Sequence, residues 1–121
     1  MANGCPNVFC DALLSRVDGD PVIFVELCDI FLDDAPKRLA AIRIALAAGD
    51  APAVRAAAHA YKGAASVFDA EAIVTAARTL ETLAEAGDLR SGALLLATLE
   101  SRSLELMSEI ATERADPKWK S

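Results

Sequence analysis

His59 is the only histidine in the chain, and it lies in the run Ala56-Ala57-Ala58-His59-Ala60-Tyr61-Lys62-Gly63-Ala64-Ala65. A neutral imidazole has a free ring nitrogen and is a nucleophile near pH 7. Arg55 and Lys62 stand four before and three after it, the spacings that bring side chains together on a helix. Two cations beside the ring favour its neutral form. They would also stabilise an anion delivered to it, above all a phosphoryl group with its spread negative charge. Gly63 costs a helix about 0.5–1 kcal/mol relative to alanine. In exchange it leaves room beside the ring, as Ala56 and Ala60 do on the other flank. Ser66 extends the same stripe by one turn.

Other chemistries find less support. Cys5, Cys10 and Cys28 are an odd count with no Cys-x-x-Cys spacing, and with one histidine they make no zinc site. They are expected as reduced thiols, with Cys28 in a core. No glycine-rich nucleotide loop is present, so the chain is not expected to draw phosphate from ATP itself. No bound cofactor or metal is expected.

The histidine needs a helix to aim it. Val54, Ala58, Tyr61, Ala65 and Phe68 are spaced four, three, four and three, an apolar seam. At about 100° per residue these five lie within roughly 40° of one direction, and His59 lies about 140° away from it. The seam therefore turns the imidazole to solvent, together with Arg55, Lys62, Gly63 and Ser66.

The rest of the chain supplies helices for that seam to pack on. Residues 1–6 read as a disordered lead-in, 7–114 as one helical domain and 115–121 as a polar tail in which Trp119 is expected to be mobile. Phe9, Leu13, Leu14 and Val17 give a short first helix. Asp18-Gly19-Asp20-Pro21 ends it and starts a second, Val22 to Leu32, apolar nearly all round and so expected to be buried on more than one side. At Pro36 the chain either kinks or restarts with an aspartate cap, with Leu39, Ile42 and Leu46 inward beyond it. Gly49-Asp50 and Gly87-Asp88 mark two further boundaries. Asp69 is expected to end the His59 helix and cap the next, whose inward positions are Ile73, Ala77, Leu80 and Leu83 or Ala84. The last helix, about Ser91 to Arg114, offers Leu95, Leu99, Leu106 and Ile110, with Leu104 and Met107 beside them. Short turns between such helices predict an all-α, up-and-down antiparallel four-helix bundle with one or two additional short N-terminal helices.

Composition agrees. Of 121 residues 54% are hydrophobic, only 5% aromatic, and the net charge is −6. An acidic chain of this kind argues against nucleic acid or an anionic membrane as partner. The longest apolar run is too short to span a bilayer, and no basic-then-apolar segment marks a signal peptide. A cytoplasmic monomer is expected.

His59-Ala60-Tyr61-Lys62-Gly63-Ala64-Ala65, followed by Phe68-Asp69-Ala70, resembles the signature of histidine-containing phosphotransfer domains of bacterial multistep phosphorelays. Leu80-Glu81 with Ala86-Gly87-Asp88 is similar to the segment that follows it in the family. Leu14 to Asp20, Phe31 to Pro36 and Ala48-Gly49-Asp50 are similar to the family upstream, so the resemblance spans roughly residues 8 to 110. It implies a helical bundle whose histidine takes a phosphoryl group from an aspartyl phosphate on one receiver domain and passes it to the aspartate of another. The partners implied are receiver domains of response regulators and of a hybrid histidine kinase, which bring the magnesium. His59 matches the phosphorylated histidine, Lys62 the lysine that steadies the phosphoryl group, and Gly63 the glycine beside the ring. Arg55, Ala56, Ala60 and Ser66 are added from the helix geometry as the surrounding contact surface. The chain departs from the family at Tyr61, usually aliphatic, and at Asp69, usually glycine.

Three other readings fit parts of the pattern. The phosphorylatable domain of a chemotaxis-type kinase would share the histidine motif, but no trace of further domains is visible. A sensor-kinase dimerisation domain would carry an acidic residue after the histidine and a proline soon afterwards, whereas Ala60 follows here and no proline intervenes before Pro117. A non-catalytic helical adaptor with an incidental surface histidine is the third.

Overall fold

Aspartates at helix starts and glycines at helix ends divide the chain. The computed structural model describes residues 8–119, so the lead-in at 1–6 lies outside it. Its helices are α1 (Val8–Arg16), α2 (Pro21–Ala47), α3 (Ala51–Ser66), α4 (Glu71–Glu85) and α5 (Leu89–Arg114), followed by a 3-10 turn at Pro117–Trp119. There is no strand among the described residues. The Asp20 carboxylate accepts from the amides of Val22 and Ile23, Asp50 from that of Ala53 and Asp88 from that of Ser91. Each satisfies an amide that the first turn of a helix leaves without a partner.

The second and third predicted segments are one helix. The buried residues of α2 are Phe24, Cys28, Phe31, Ala35, Leu39, Ile42 and Ala45, so the inward face keeps its phase across Pro36. Proline removes one backbone hydrogen bond there. Two ion pairs bridge the gap, Asp33 with Lys37 and Asp34 with Arg38, each spanning one turn. Continuous burial on both sides outweighs the defect, and only one short helix, α1, precedes the four long ones. The N-terminal half of α2 is not covered all round: Val22, Ile23 and Ile30 are exposed.

α2 packs on α3 and α5, and α4 packs on the same two. Ion pairs fix the directions. Asp29 meets Arg114 and Arg43 meets Glu100, so moving forward along α2 means moving back along α5. Arg55 with Glu85 and His59 with Glu81 show the same reversal between α3 and α4. Gly92, buried on α5, is needed for close approach: a Cβ there would lie 3.0 Å from Leu80 and 3.3 Å from Leu46.

The core takes the predicted seam of α3, with Val54, Ala58, Tyr61 and Ala65 buried and Phe68 just beyond. On α4 the inward set is Ile73, Ala76, Ala77, Leu80 and Ala84, and on α5 Leu99, Leu106 and Ile110 with Ser103 between them. Leu104 points outward. The Tyr61 hydroxyl donates to Ser103 Oγ at 2.7 Å, and Ser103 Oγ donates to the Leu99 carbonyl at 2.7 Å. A buried phenol thus has its partner, and burial pushes its pKa up.

Three expectations fail locally. Trp119 is not loose: its ring stacks on Phe24 at 4.1 Å, and its Nε1–H donates to Glu113 at 2.9 Å. A large apolar ring covers more surface than the polar residues around it suggest. Cys28 is free and buried, with its thiol pushed up to about 12 mainly by burial, but Cys10 is disulfide-bonded. Cysteine count alone cannot tell which thiols are oxidised; Cys5 lies outside the described residues.

The third concerns the turn after α3. Asp69 does end that helix, with φ +55°, in the left-handed region. It does not cap α4, whose N-cap is Ala70 with no side-chain hydrogen bond. A residue held left-handed cannot also take the extended conformation of a cap. The left-handed backbone costs an ordinary L-residue about 1–2 kcal/mol, a cost glycine escapes. Asp69→Gly should therefore raise stability by about 1 kcal/mol and the melting temperature by about 2–6 °C, read by thermal circular dichroism. An unchanged or lowered melting point would show that the aspartate side chain offsets its own strain.

Candidate functional site

Burial of Tyr61 and Ala58 leaves His59 on the open face of α3, its side chain 70% exposed. The feature that organises the site comes from α4. Leu80 is fully buried there, and its neighbour Glu81 rises along the edge of the α3–α4 interface, its side chain only 13% exposed. Oε2 of Glu81 lies 2.9 Å from His59 Nδ1, and Oε1 lies 2.6 Å from Lys62 Nζ. Oε1 has no aligned hydrogen bond; its contact with the ammonium is an ion pair.

One carboxylate therefore ties both predicted residues to α4. Burial pushes the Glu81 carboxyl up, but the Lys62 ammonium and the hydrogen bond to His59 together outweigh it and hold the group below its ordinary value. Glu81 is then ionised at neutral pH and can only accept. The hydrogen of the neutral ring sits on Nδ1, and Nε2 keeps the lone pair. The site presents a nucleophilic nitrogen with a fixed tautomer, backed by a carboxylate that can stabilise positive charge on the ring.

The remaining predicted residues are placed as follows. Arg55 does not stand over the imidazole; it donates from Nε to Glu85 at 3.0 Å, one turn along from the His59–Glu81 pair. The expected pair of cations flanking the ring is replaced by a shared carboxylate with Lys62 on its far side. Ala56, Ala60 and Gly63 are exposed, and a Cβ on Gly63 would meet nothing within 4 Å. Ser66 is exposed, but its hydroxyl donates back to the Gly63 carbonyl at 2.8 Å.

Glu81 is the residue the helix wheel missed. It is 22 positions from His59, and a wheel drawn on one helix says nothing about which residues of another meet it. The available signal was its place beside the inward Leu80, at the margin of an apolar face. Among the described residues, no group of acidic, cysteine or histidine side chains could hold a metal ion, and no helix is long and apolar enough to cross a membrane.

Comparison with known proteins agrees with this architecture. Residues 26–113 match the Hpt domain family. Among solved structures the chain is similar to histidine-containing phosphotransfer protein B (HptB) from Pseudomonas aeruginosa PAO1. That match has a TM-score of 0.80 and 27% identity, and covers 94% of this chain and 96% of that one. No curated protein sequence matches it. The matched family spans α3, α4 and most of α2 and α5, with His59, Lys62 and Glu81 all inside it: the chain belongs to the Hpt domain family.

Proposed function

We propose that this Hpt domain takes a phosphoryl group on His59 Nε2 from the aspartyl phosphate of one receiver domain and delivers it to the aspartate of another. The observation that carries the reading is the Glu81 carboxylate, which holds Nδ1 and leaves Nε2 free on an exposed ring. The Nε2 lone pair forms the new N–P bond as the P–O bond to the donor aspartate breaks and that carboxylate leaves. The ring is then cationic, with Nδ1–H facing Glu81. Transfer onward reverses these steps, the acceptor carboxylate attacking phosphorus and Nε2 leaving with its electron pair.

In this reading Lys62 steadies the phosphoryl oxygens by turning its ammonium from Glu81 towards them. The receiver supplies the magnesium and the acidic residues around its aspartate. The platform is an up-and-down antiparallel four-helix bundle of α2 to α5, acting as a monomer; the ring of packed pairs and their opposed directions support it. A groove lies between α2 and α3, lined by Leu27, Ile30, Phe31, Asp34, Ala64, Val67 and Phe68. Such an apolar strip on the helix that carries His59 suits the docking of a protein rather than a small molecule.

Incubation with a phosphorylated receiver should label the chain with acid-labile, base-stable phosphate, and His59→Gln should remove the label. If wild type stays unlabelled with every receiver tried, or the variant labels equally, the reading fails.

Glu81 gives a second measurement. A charge-assisted hydrogen bond is worth about 1.5–3 kcal/mol, so Glu81→Ala should slow transfer by about 10- to 100-fold while His59 stays exposed. Its pH dependence has a fixed sign. A carboxyl that titrates below its ordinary 4.5 in the folded chain keeps the tie intact above that value and loses it as pH falls through the lowered one. Carboxyl and imidazole chemical shifts followed by NMR should show Glu81 still ionised at pH 4.5. A midpoint above 4.5 would contradict the shared-carboxylate geometry.

Gly63 separates fold from function. Because a Cβ there touches nothing in the chain, Gly63→Ala should stabilise the helix by about 0.5–1 kcal/mol. Transfer should nevertheless slow, because the methyl group stands where the receiver must approach. Faster or unchanged transfer would remove Gly63 from the docking surface.

A further inference from the structure

The two ends of the described chain meet on one residue. The Trp119 ring stacks on Phe24 of α2 at 4.1 Å with an interplanar angle of 18°, and Phe9 of α1 stacks on the same Phe24 at 6.5 Å. The 3-10 turn that carries Trp119 is anchored by charge as well. Glu113 is only 5% exposed, and its Oε2 accepts from Trp119 Nε1 at 2.9 Å and pairs with Lys118 Nζ at 2.6 Å. A carboxylate that deep is costly without partners, and both of these come from the turn.

α1 also buries Cys10 and Leu13 in the core, and Phe24 is where it meets the turn. A helix of nine residues is too short to persist alone in water. Besides Phe24 it reaches the far end of α3, where Phe9 packs on Phe68 at 6.1 Å and the Arg16 guanidinium donates to the Ser66 carbonyl at 3.2 Å. That carbonyl, at the end of α3, also accepts from the Asp69 amide at 3.1 Å.

We propose that the turn Pro117–Trp119 is a latch that keeps α1 docked, and that α1 in turn braces the C-terminal end of the helix bearing His59. Seating the latch orders α1, and an ordered α1 supplies the Phe9 and Arg16 contacts to Phe68 and Ser66. Release of the latch frees all three together. The coupling is reciprocal, since whatever α1 gains from the turn the turn gains from α1. It holds whether or not His59 carries phosphate.

Hydrogen exchange on the full chain tests it from one side. In Trp119→Ala, amides of α1 and of the last turn of α3 should exchange at least about tenfold faster, while α4 and the first turns of α3 stay unchanged. Fluorescence tests it from the other side, because Trp119 is the only tryptophan in the chain. In Phe9→Ala its emission should shift to the red and become more open to acrylamide quenching. Unchanged exchange in α1, an unchanged emission maximum, or an equal acceleration in every helix would each overturn the latch.

Discussion

The constraint on which the rest depends is the helical phase of α3. Val54, Ala58, Tyr61 and Ala65 are fully buried, and Tyr61 is fixed further by its hydrogen bond to Ser103. Burial of a large side chain is worth about 1.5–3 kcal/mol, so rotating the helix to bring His59 inward would forfeit several kcal/mol across the seam. The small residues in the seam let α3 lie close to its neighbours. The price of exposing the imidazole is thus met by residues on the opposite side of the helix.

Close packing has a second consequence. Because α3 and α4 run in opposite directions, a step of one turn back along α3 is a step of one turn forward along α4. The same register that sets Glu81 against His59 sets Glu85 against Arg55. The two contacts differ in what they can do. Arg55 and Glu85 are each more than half exposed, and such a pair contributes little to stability. Glu81 is largely covered and bonded to two groups, so its carboxylate stays put and fixes the ring's tautomer. Covering, more than charge, separates an orienting residue from a surface ion pair.

What could be read from the sequence was what lies within one helix or at its ends. The outward direction of His59, the caps at Asp20, Asp50 and Asp88, and the end of α3 at Asp69 all follow from spacing or local backbone chemistry. What could not be read was set by contacts between elements distant in sequence. Pro36 reads locally as a break, yet the inward face of α2 continues past it because burial on both sides outweighs one lost hydrogen bond. Trp119 reads as a tail residue until Phe24 and Glu113 are known to stand beneath it. Arg55 was expected beside the imidazole from its spacing of four residues; Glu85 on α4 takes its guanidinium instead.

The open flank of the site cannot be explained by the domain alone. A glycine inside a helix normally marks close packing, as Gly92 in the first turn of α5 does against Leu80 and Leu46, but Gly63 has no neighbour within 4 Å of where its Cβ would stand. The folded chain would gain helix stability from alanine there. Ala56 and Ala60 are likewise small and exposed. A surface kept low at some cost to the helix, beside a nucleophile whose lone pair points outward, is shaped for contact with a second surface. Nothing in the unbound domain accounts for that shape; in the proposed transfer the partner brings a reacting atom to Nε2, and each methyl group added around the ring would hold it further away.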